Sequence, residues 1–541
     1  MSGREGSFHR SPVVLDLLVC GSYVGLLLLP AIAPLVFEGR AEGHYFTVRN
    51  APHHWAALAN LGVGTLLLFS FKRITWPRAG GRARTLMVVG GLLLLWLPAL
   101  QLWRRDLLTP IRDLAFATFG ALGGRVGVMV GMGLLGAAVA GAFVRAAVRA
   151  PGRVRAGART GLLVLSPLTL LLTVQMAAIA MGAGPRMEAG NVHELDADRK
   201  ADGAEDSGHR EGARVIFVVF DELDADSLEA AATDGPPLEG FEWIVSEGVR
   251  LAETPEPGPW TARAIPALTL GRPVEAAAPV GPTQLALEPA EQGVSVYWAP
   301  EETFLAQWRR EGGTVGMVGW YHPYCRIFRG HVDACHWEPS SWRQPPQRGG
   351  FADWLRLAAG QWATSTLRPP ARELEAGARK ATERIEKRAH DWATDPFLDL
   401  LWVHHTMPHD PVIGEPFVLP SGKEASGYRR NLHRADEFLT TLQASLQDAG
   451  LLQETALIVT SDHPRRKQDP EDGGLTIPHG STVPVLLRLP EDPEPLSLDW
   501  PCPPLFLADL SLAILRGQVR SNQEAAEWIR SQAAERCPEA G

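Results

Sequence analysis

The sequence predicts an N-terminal helical membrane domain of five transmembrane helices and a C-terminal α/β domain with a mainly parallel sheet. Three observations carry that expectation. Five apolar stretches fill the first 183 residues, the charge balance reverses after them, and short β-branched runs alternate with helical stretches from Arg214 onward. The average over 541 residues, a formal charge of −9, conceals the contrast. Residues 1–183 carry 18 Lys/Arg and 6 Asp/Glu, a balance of +12, which leaves 34 basic and 55 acidic residues, a balance of −21, for the rest. An acidic soluble part argues against nucleic acid as partner, because a phosphate backbone needs a basic face. A purely cytosolic protein is excluded.

The apolar stretches run Val13–Phe37, Trp55–Phe71, Leu86–Trp103, Val126–Val148 and Gly161–Ala183. A bilayer core of ~30 Å takes about 20 apolar residues in helix, within a range of ~17–25, and all five qualify. Lys72, Arg73, Arg78, Arg82 and Arg84 follow the second stretch with no acid among them, and Arg145, Arg149, Arg153, Arg155 and Arg159 follow the fourth in the same way. Basic loops stay cytoplasmic, so the N-terminus is expected inside. An odd number of spans then places everything after Ala183 outside. The first stretch, with Arg4 and Arg10 ahead of it and Ala31-Ile32-Ala33 at its end, also fits a signal peptide; its apolar run is longer than the usual core of one, which favours an anchor. Asp16 lies near the cytoplasmic end of that span and is expected to reach the interface.

Residues 184–212 are rich in Gly, Ala and charge without apolar periodicity and read as a flexible tether, with His193 and His209 in solvent. The expected domains are therefore 1–183, in the membrane, and 213–541, beyond the linker. Four of the five cysteines lie in the exported part. Cys325 and Cys335 are the nearest pair, either a disulfide or two free thiols.

Within 213–541, strands are expected at Val215–Phe220, Val294–Tyr297, Thr314–Val318, Phe397–Val403, Ala456–Thr460 and Val483–Leu487. Helices are expected at Glu239–Ser246, Thr303–Arg310, Arg372–Trp392, Arg429–Ala449 and Leu505–Arg516. Such alternation builds a parallel sheet, and ligands gather beyond the carboxyl ends of its strands. Three strand ends are loaded with chemistry: Phe220-Asp221-Glu222-Leu223-Asp224, His404-His405-Thr406-Met407-Pro408-His409-Asp410, and Thr460-Ser461-Asp462-His463. Carboxylate and imidazole at one sheet edge suit a divalent ion such as zinc or manganese. Pro259-Trp260-Thr261 opens a predicted helix. Thr261 there is either an N-cap or a hydroxyl facing a bound phosphate, where helix N–H groups and a metal both favour the anion.

These motifs, in this order, resemble the sulfatase-like branch of the alkaline phosphatase superfamily: a hydrophobic strand ending at Asp221, Thr261 forty residues on, Pro408-His409-Asp410-Pro411, then Ser461-Asp462-His463 ahead of Val483-Pro484. With the spans in front, the layout is similar to lipoteichoic acid synthases and lipid A phosphoethanolamine transferases. The resemblance implies an alkaline phosphatase-like fold, with Asp221, Thr261, Asp462 and His463 as metal ligands and Thr261 as nucleophile. It implies that His409, His404 and His479 contact the phosphoryl or leaving group; His322 and Arg326 are further candidates for substrate binding. Glu222 replaces Asp221 if the register slips by one. Three departures stand out. Thr261 is followed by Ala262, Arg263 and Ala264 rather than x-Pro-x-Arg, which points away from a sulfatase with an oxidised nucleophile. No clean Asp-x-x-x-His pair accompanies His404–Asp410, so one ion is expected. Pro464-Arg465-Arg466-Lys467 stands where the family more often has Gly.

The expected function is a multi-pass enzyme of the bacterial cytoplasmic membrane, its catalytic domain periplasmic. It would move a phosphate-ester headgroup of phosphoethanolamine or phosphoglycerol type from a membrane lipid donor, through a phospho-threonine, to an envelope lipid or glycan acceptor. Alternatives are a phosphatase or phosphodiesterase that uses water, a non-catalytic membrane-anchored binding domain, and transport, for which the spans lack a set of buried charges.

Overall fold

The structure, a computed structural model, describes residues 12–36, 45, 51–95, 141–142, 145–146, 149–178, 180–181, 192–193, 212–233, 235–252, 254–281, 283–289, 296–339, 358–362, 371–468, 475–476, 480–491 and 493–536. It divides into two units. One comprises 1–39, 49–187 and 345–370, the other 40–48, 188–344 and 371–541. The linker is thus not the sole boundary: residues 358–362 of the C-terminal half group with the apolar helices, and Tyr45, between the first two helices, groups with the α/β unit.

In the first unit, three helices are long and apolar enough to cross a bilayer, with spans at Val13–Ile32, His54–Thr75 and Gly152–Ala178. Five spans were expected, and among the described residues three are found. The stretch at Leu86–Trp103 is helical over Gly81–Leu94, 14 residues, short of a crossing; the fourth stretch, Val126–Val148, falls mostly outside the described residues. Val24, Leu28 and Ile32 pack against Ala57, Leu61, Leu172 and Met176. Asp16 is not left to the interface alone. It pairs with Lys72 at 2.7 Å and lies 3.8 Å from Arg159, so the start of the first helix, the end of the second and the start of the last share one end. Asn60 donates to the carbonyl of Ala358 at 3.0 Å and to Gln361 Oε1 at 2.9 Å, which holds the helical segment 358–362 in this unit.

The second unit is built on a nine-stranded sheet in the order Val192–His193, Ala334–Pro339, Val315–Tyr321, Leu400–Pro408, Arg214–Asp221, Thr455–Ser461, Val485–Arg488, Val249–Ala252, Leu496–Asp499. The second to sixth of these run parallel, so their carboxyl ends form one edge. Val192–His193, expected in the tether, pairs antiparallel with His336 and Cys335. The disulfide of Cys325 with Cys335 forms, and Cys502 is disulfide-bonded as well.

Side chains on a strand alternate faces, and both faces of this sheet are buried. Val215, Phe217 and Val219 join Leu400, Trp402, Ala456 and Ile458 in one core, against the helices Thr261–Leu270 and Leu507–Leu515. Ile216, Val218 and Phe220 join Leu401, Val403, Leu457 and Val459 in the other, against Glu239–Glu247, Ala371–Ala393 and Gly427–Asp448. Each such apolar side chain contributes about 1.5–3 kcal/mol on burial. This is why an all-apolar run such as Val215–Phe220 reads as a central strand rather than an edge.

Candidate metal and nucleophile site

The same alternation decides which polar side chains meet. Asp221 continues the face of Val215, Phe217 and Val219; His404 continues that of Leu400 and Trp402; Asp462 follows the parity of Ala456 and Ile458. All three end on the face that carries the Thr261 helix. The Leu400–Pro408 strand is longer than expected, so His404 sits inside it and is fully buried. Its neighbour His405 takes the opposite face, with Glu386 Oε1 3.4 Å from its Nε2 and the Phe438 ring tilted against it at 4.6 Å.

Asp221, His404 and Asp462 offer ligand atoms that all lie within 4.8 Å of one another. Asp221 Oδ1, Asp462 Oδ2 and His404 Nε2 are buried, and none has a hydrogen-bond partner. Three converging orphans of this kind are costly unless something binds them, and a divalent cation fits the donor set. The imidazoles are oriented for it. His404 Nδ1–H donates to the Trp320 carbonyl at 3.2 Å, with Tyr324 Oη 2.8 Å away, which leaves the Nε2 lone pair toward the carboxylates. His463 Nδ1–H donates to the Pro464 carbonyl at 3.0 Å. Its Nε2 lies 3.4 Å from Asp462 Oδ2, 4.0 Å from Asp221 Oδ1 and 3.4 Å from Thr261 Oγ1. Gly319 makes room for this arrangement: a Cβ there would stand 2.6 Å from the Tyr324 ring and 3.0 Å from His404 Cβ.

Electrostatics separate the two carboxylates. Burial, reinforced by the charges of Asp462 and Glu222, pushes the Asp221 carboxyl well above its ordinary range. Burial opposes ionisation of Asp462 too, but His463 and His404 outweigh it and hold that carboxyl below its usual value. Burial drives His404 down to about 4, so its ring is neutral and its lone pair is available.

Thr261 is the first residue of the Thr261–Leu270 helix, and its N-cap is Trp260, which supplies no side-chain cap. The capping role considered for Thr261 is therefore not the one it occupies. Its hydroxyl lies 3.4 Å from His463 Nε2, at a helix end whose first N–H groups lack intrahelical partners. The structure thus gathers Asp221, Thr261, Asp462, His463 and His404 at one point.

The other expected contacts scatter. His409 is half-buried at the edge; its Nε2 accepts from Arg466 Nη2 at 3.3 Å and its ring meets Trp320 at 5.5 Å. His322 is buried behind Thr261 rather than in front of it, with Nε2–H donating to the Thr261 carbonyl at 3.1 Å. Arg326 is turned into the protein, where Nη2 donates to the Tyr45 carbonyl at 2.9 Å and the guanidinium covers the Trp337 ring at 4.5 Å. This is a packing position, with burial lowering Arg326 to about 10. His479 lies outside the described residues. Two residues that sequence reasoning left unassigned belong here. Arg466 pairs with Glu222 Oε1 at 2.6 Å and covers the Trp260 ring at 5.0 Å; Arg465 covers Tyr428 at 4.4 Å. Among the described residues, Glu222 and Tyr321 are the non-glycine residues with positive φ, 65° and 66°. Each directly adjoins a site residue, Asp221 and His322, where such strain is characteristic of function.

No family model matches the chain, and no curated protein matches it. Solved structures do. The chain is similar to PsFucS1 sulfatase from Pseudoalteromonas sp., at 16% identity and a TM-score of 0.38, over 58% of this chain and 69% of that one. It is similar to phosphonate monoester hydrolase of Agrobacterium radiobacter, at 14% and 0.36 over 56% and 77%. A protein in the alkaline phosphatase superfamily from Vibrio parahaemolyticus gives 15% and 0.35 over 58% and 69%. The structures it is similar to are thus sulfatases and other members of the alkaline phosphatase superfamily, enzymes among them.

Proposed function

We propose that the chain is a membrane-anchored, metal-dependent phosphotransferase that uses Thr261 as its nucleophile. The observation that carries this reading is the meeting of three unpartnered buried donors, Asp221 Oδ1, Asp462 Oδ2 and His404 Nε2, with the Thr261 hydroxyl and His463 Nε2. Asp221, Asp462, His463 and His404 would hold one divalent ion, zinc or manganese. When bound, the ion neutralises the carboxylates and lowers the pKa of the Thr261 hydroxyl. His404 is thereby reassigned from the phosphoryl group to the ion.

The residues then divide the work. Thr261 Oγ attacks the phosphorus of a diester; the new Oγ–P bond forms as the bond to the donor's alcohol breaks, and that alcohol leaves with a proton. A second displacement by the acceptor's hydroxyl regenerates Thr261. The N–H groups at the start of the Thr261 helix face the phosphoryl oxygens, and His409 at the edge contacts the phosphoryl or leaving group. Apolar helices of 20, 22 and 27 residues support a lipid donor presented at the bilayer. The gathering of Asp16, Lys72 and Arg159 at one end supports a cytoplasmic N-terminus, with the α/β unit outside the cytoplasmic membrane. An envelope lipid or glycan is the proposed acceptor. The test is to supply a lipid radiolabelled in its headgroup to the purified full chain. Label recovered on a second lipid or glycan supports transfer; label released only into water makes the enzyme a phosphodiesterase; no release by protein loaded with zinc or manganese sinks both.

A further inference from the structure

We propose that Tyr45, on the stretch of chain between the first two apolar helices, is a positioning residue for Thr261. Tyr45 groups with the α/β unit and is fully buried in the core that holds Val215, Phe217 and Ile265. It is held at both ends. Its carbonyl accepts from Arg326 Nη2 at 2.9 Å, and its hydroxyl lies 2.7 Å from His322 Nδ1.

The protons on that imidazole follow from its partners. The Thr261 carbonyl can only accept, so His322 Nε2 carries the hydrogen and donates across 3.1 Å. In the neutral imidazole one nitrogen donates and the other accepts, so with the hydrogen on Nε2, Nδ1 is the acceptor. Tyr45 O–H is the donor it meets among the described residues. The ring is boxed in by Trp298, Tyr321 and Tyr324, with centroids at 5.1, 5.0 and 5.9 Å, and the left-handed backbone at Tyr321 turns it away from its strand.

This chain of two hydrogen bonds matters because the helix that presents Thr261 begins without a side-chain cap. What fixes the Thr261 backbone from behind is His322, and what fixes the tautomer and tilt of His322 is Tyr45. The logic matches an outer-shell partner orienting a ligand, where loss typically costs about 10- to 100-fold. A residue from outside 213–541 therefore completes the site.

The proposal rests on Thr261 being the nucleophile, and the experiment keeps the two apart. The full chain in detergent, loaded with its metal, is assayed on bis(4-nitrophenyl) phosphate as a phosphodiester probe. Tyr45→Phe removes one oxygen and should lower kcat about 10-fold, with KM within about twofold and with metal content and melting midpoint at parent values. In a His322→Asn background the amide can donate to the Thr261 carbonyl unaided, so adding Tyr45→Phe should change kcat by less than about twofold. A Tyr45→Phe enzyme with parent kcat overturns the proposal, as does an equal loss in both backgrounds, or a loss that tracks melting. A parent chain that binds metal but never turns over the probe removes the reading of Thr261, and this proposal with it.

Discussion

His404 and His405 are adjacent in the chain, yet their surroundings differ in kind. His404 has an unpartnered Nε2 aimed at two carboxylates; His405 sits on the far face among Phe220, Phe438 and Glu386. Sequence motif alone marks both, because each follows a hydrophobic strand core. Strand parity separates them: counting by twos from the apolar residues of each strand places Asp221, His404 and Asp462 on one face. That count depends on knowing that the strand continues through Pro408, and the polar run His404–Thr406 hides this. His322 and Arg326 were legible as special, from aromatic neighbours and a basic group, but their direction was not. The left-handed turn at Tyr321, which no residue type announces, sends His322 behind Thr261. The contrast between neighbours gives a sharp test. His404→Ala should lower affinity for zinc or manganese by at least the ~10- to 100-fold that even an outer-shell loss costs. His405→Ala should leave metal content at the parent value and lower the melting midpoint instead. Metal analysis after dialysis, with a thermal melt, reads both; parent-like metal binding by His404→Ala would remove it from the donor set.

Elements with a strong apolar signature were the readable ones. Val215–Phe220 extends to Arg214–Asp221, and the expected helix Arg372–Trp392 becomes Ala371–Ala393. Short strands such as Val249–Ala252 and the edge strand Leu496–Asp499 were missed, because their exposed residues break any run and their pairing, not their composition, makes them strands. Among the apolar helices, charge at the ends carries the orientation. Lys72 and Arg73 close the second helix, where cations favour the negative end of the helix dipole, and Arg153, Arg155 and Arg159 open the last one. If these mark the cytoplasmic face, the C-terminus lies outside. Alkaline phosphatase fused there should be active in cells, and a fluorescent protein that matures only in the cytoplasm should stay dark. The reverse pair of results would overturn the orientation.

At the level of the whole molecule, the break in charge near residue 183 separates greasy from soluble sequence but does not separate the folded units. Residues 358–362 group with the apolar helices and Tyr45 with the α/β unit. Neither exchange is legible from composition, since each depends on contacts between distant stretches. A fragment cut at 213 would therefore lack Tyr45, and full-length protein is the material for deciding the chemistry. Every role assigned to the five clustered residues converges on one event, the transfer of a phosphoryl group to Thr261. Full-length enzyme loaded with zinc or manganese, mixed with a phosphodiester and acid-quenched within one turnover, can be digested and the peptide containing Thr261 weighed by mass spectrometry. The account predicts on Thr261 the added mass of the phosphoryl group with its retained ester substituent, absent from Thr261→Ala and from chelator-treated enzyme, with turnover abolished in both and a fraction retained in Thr261→Ser. A Thr261→Ala enzyme that turns over near the parent rate, with no adduct in the parent, would contradict it.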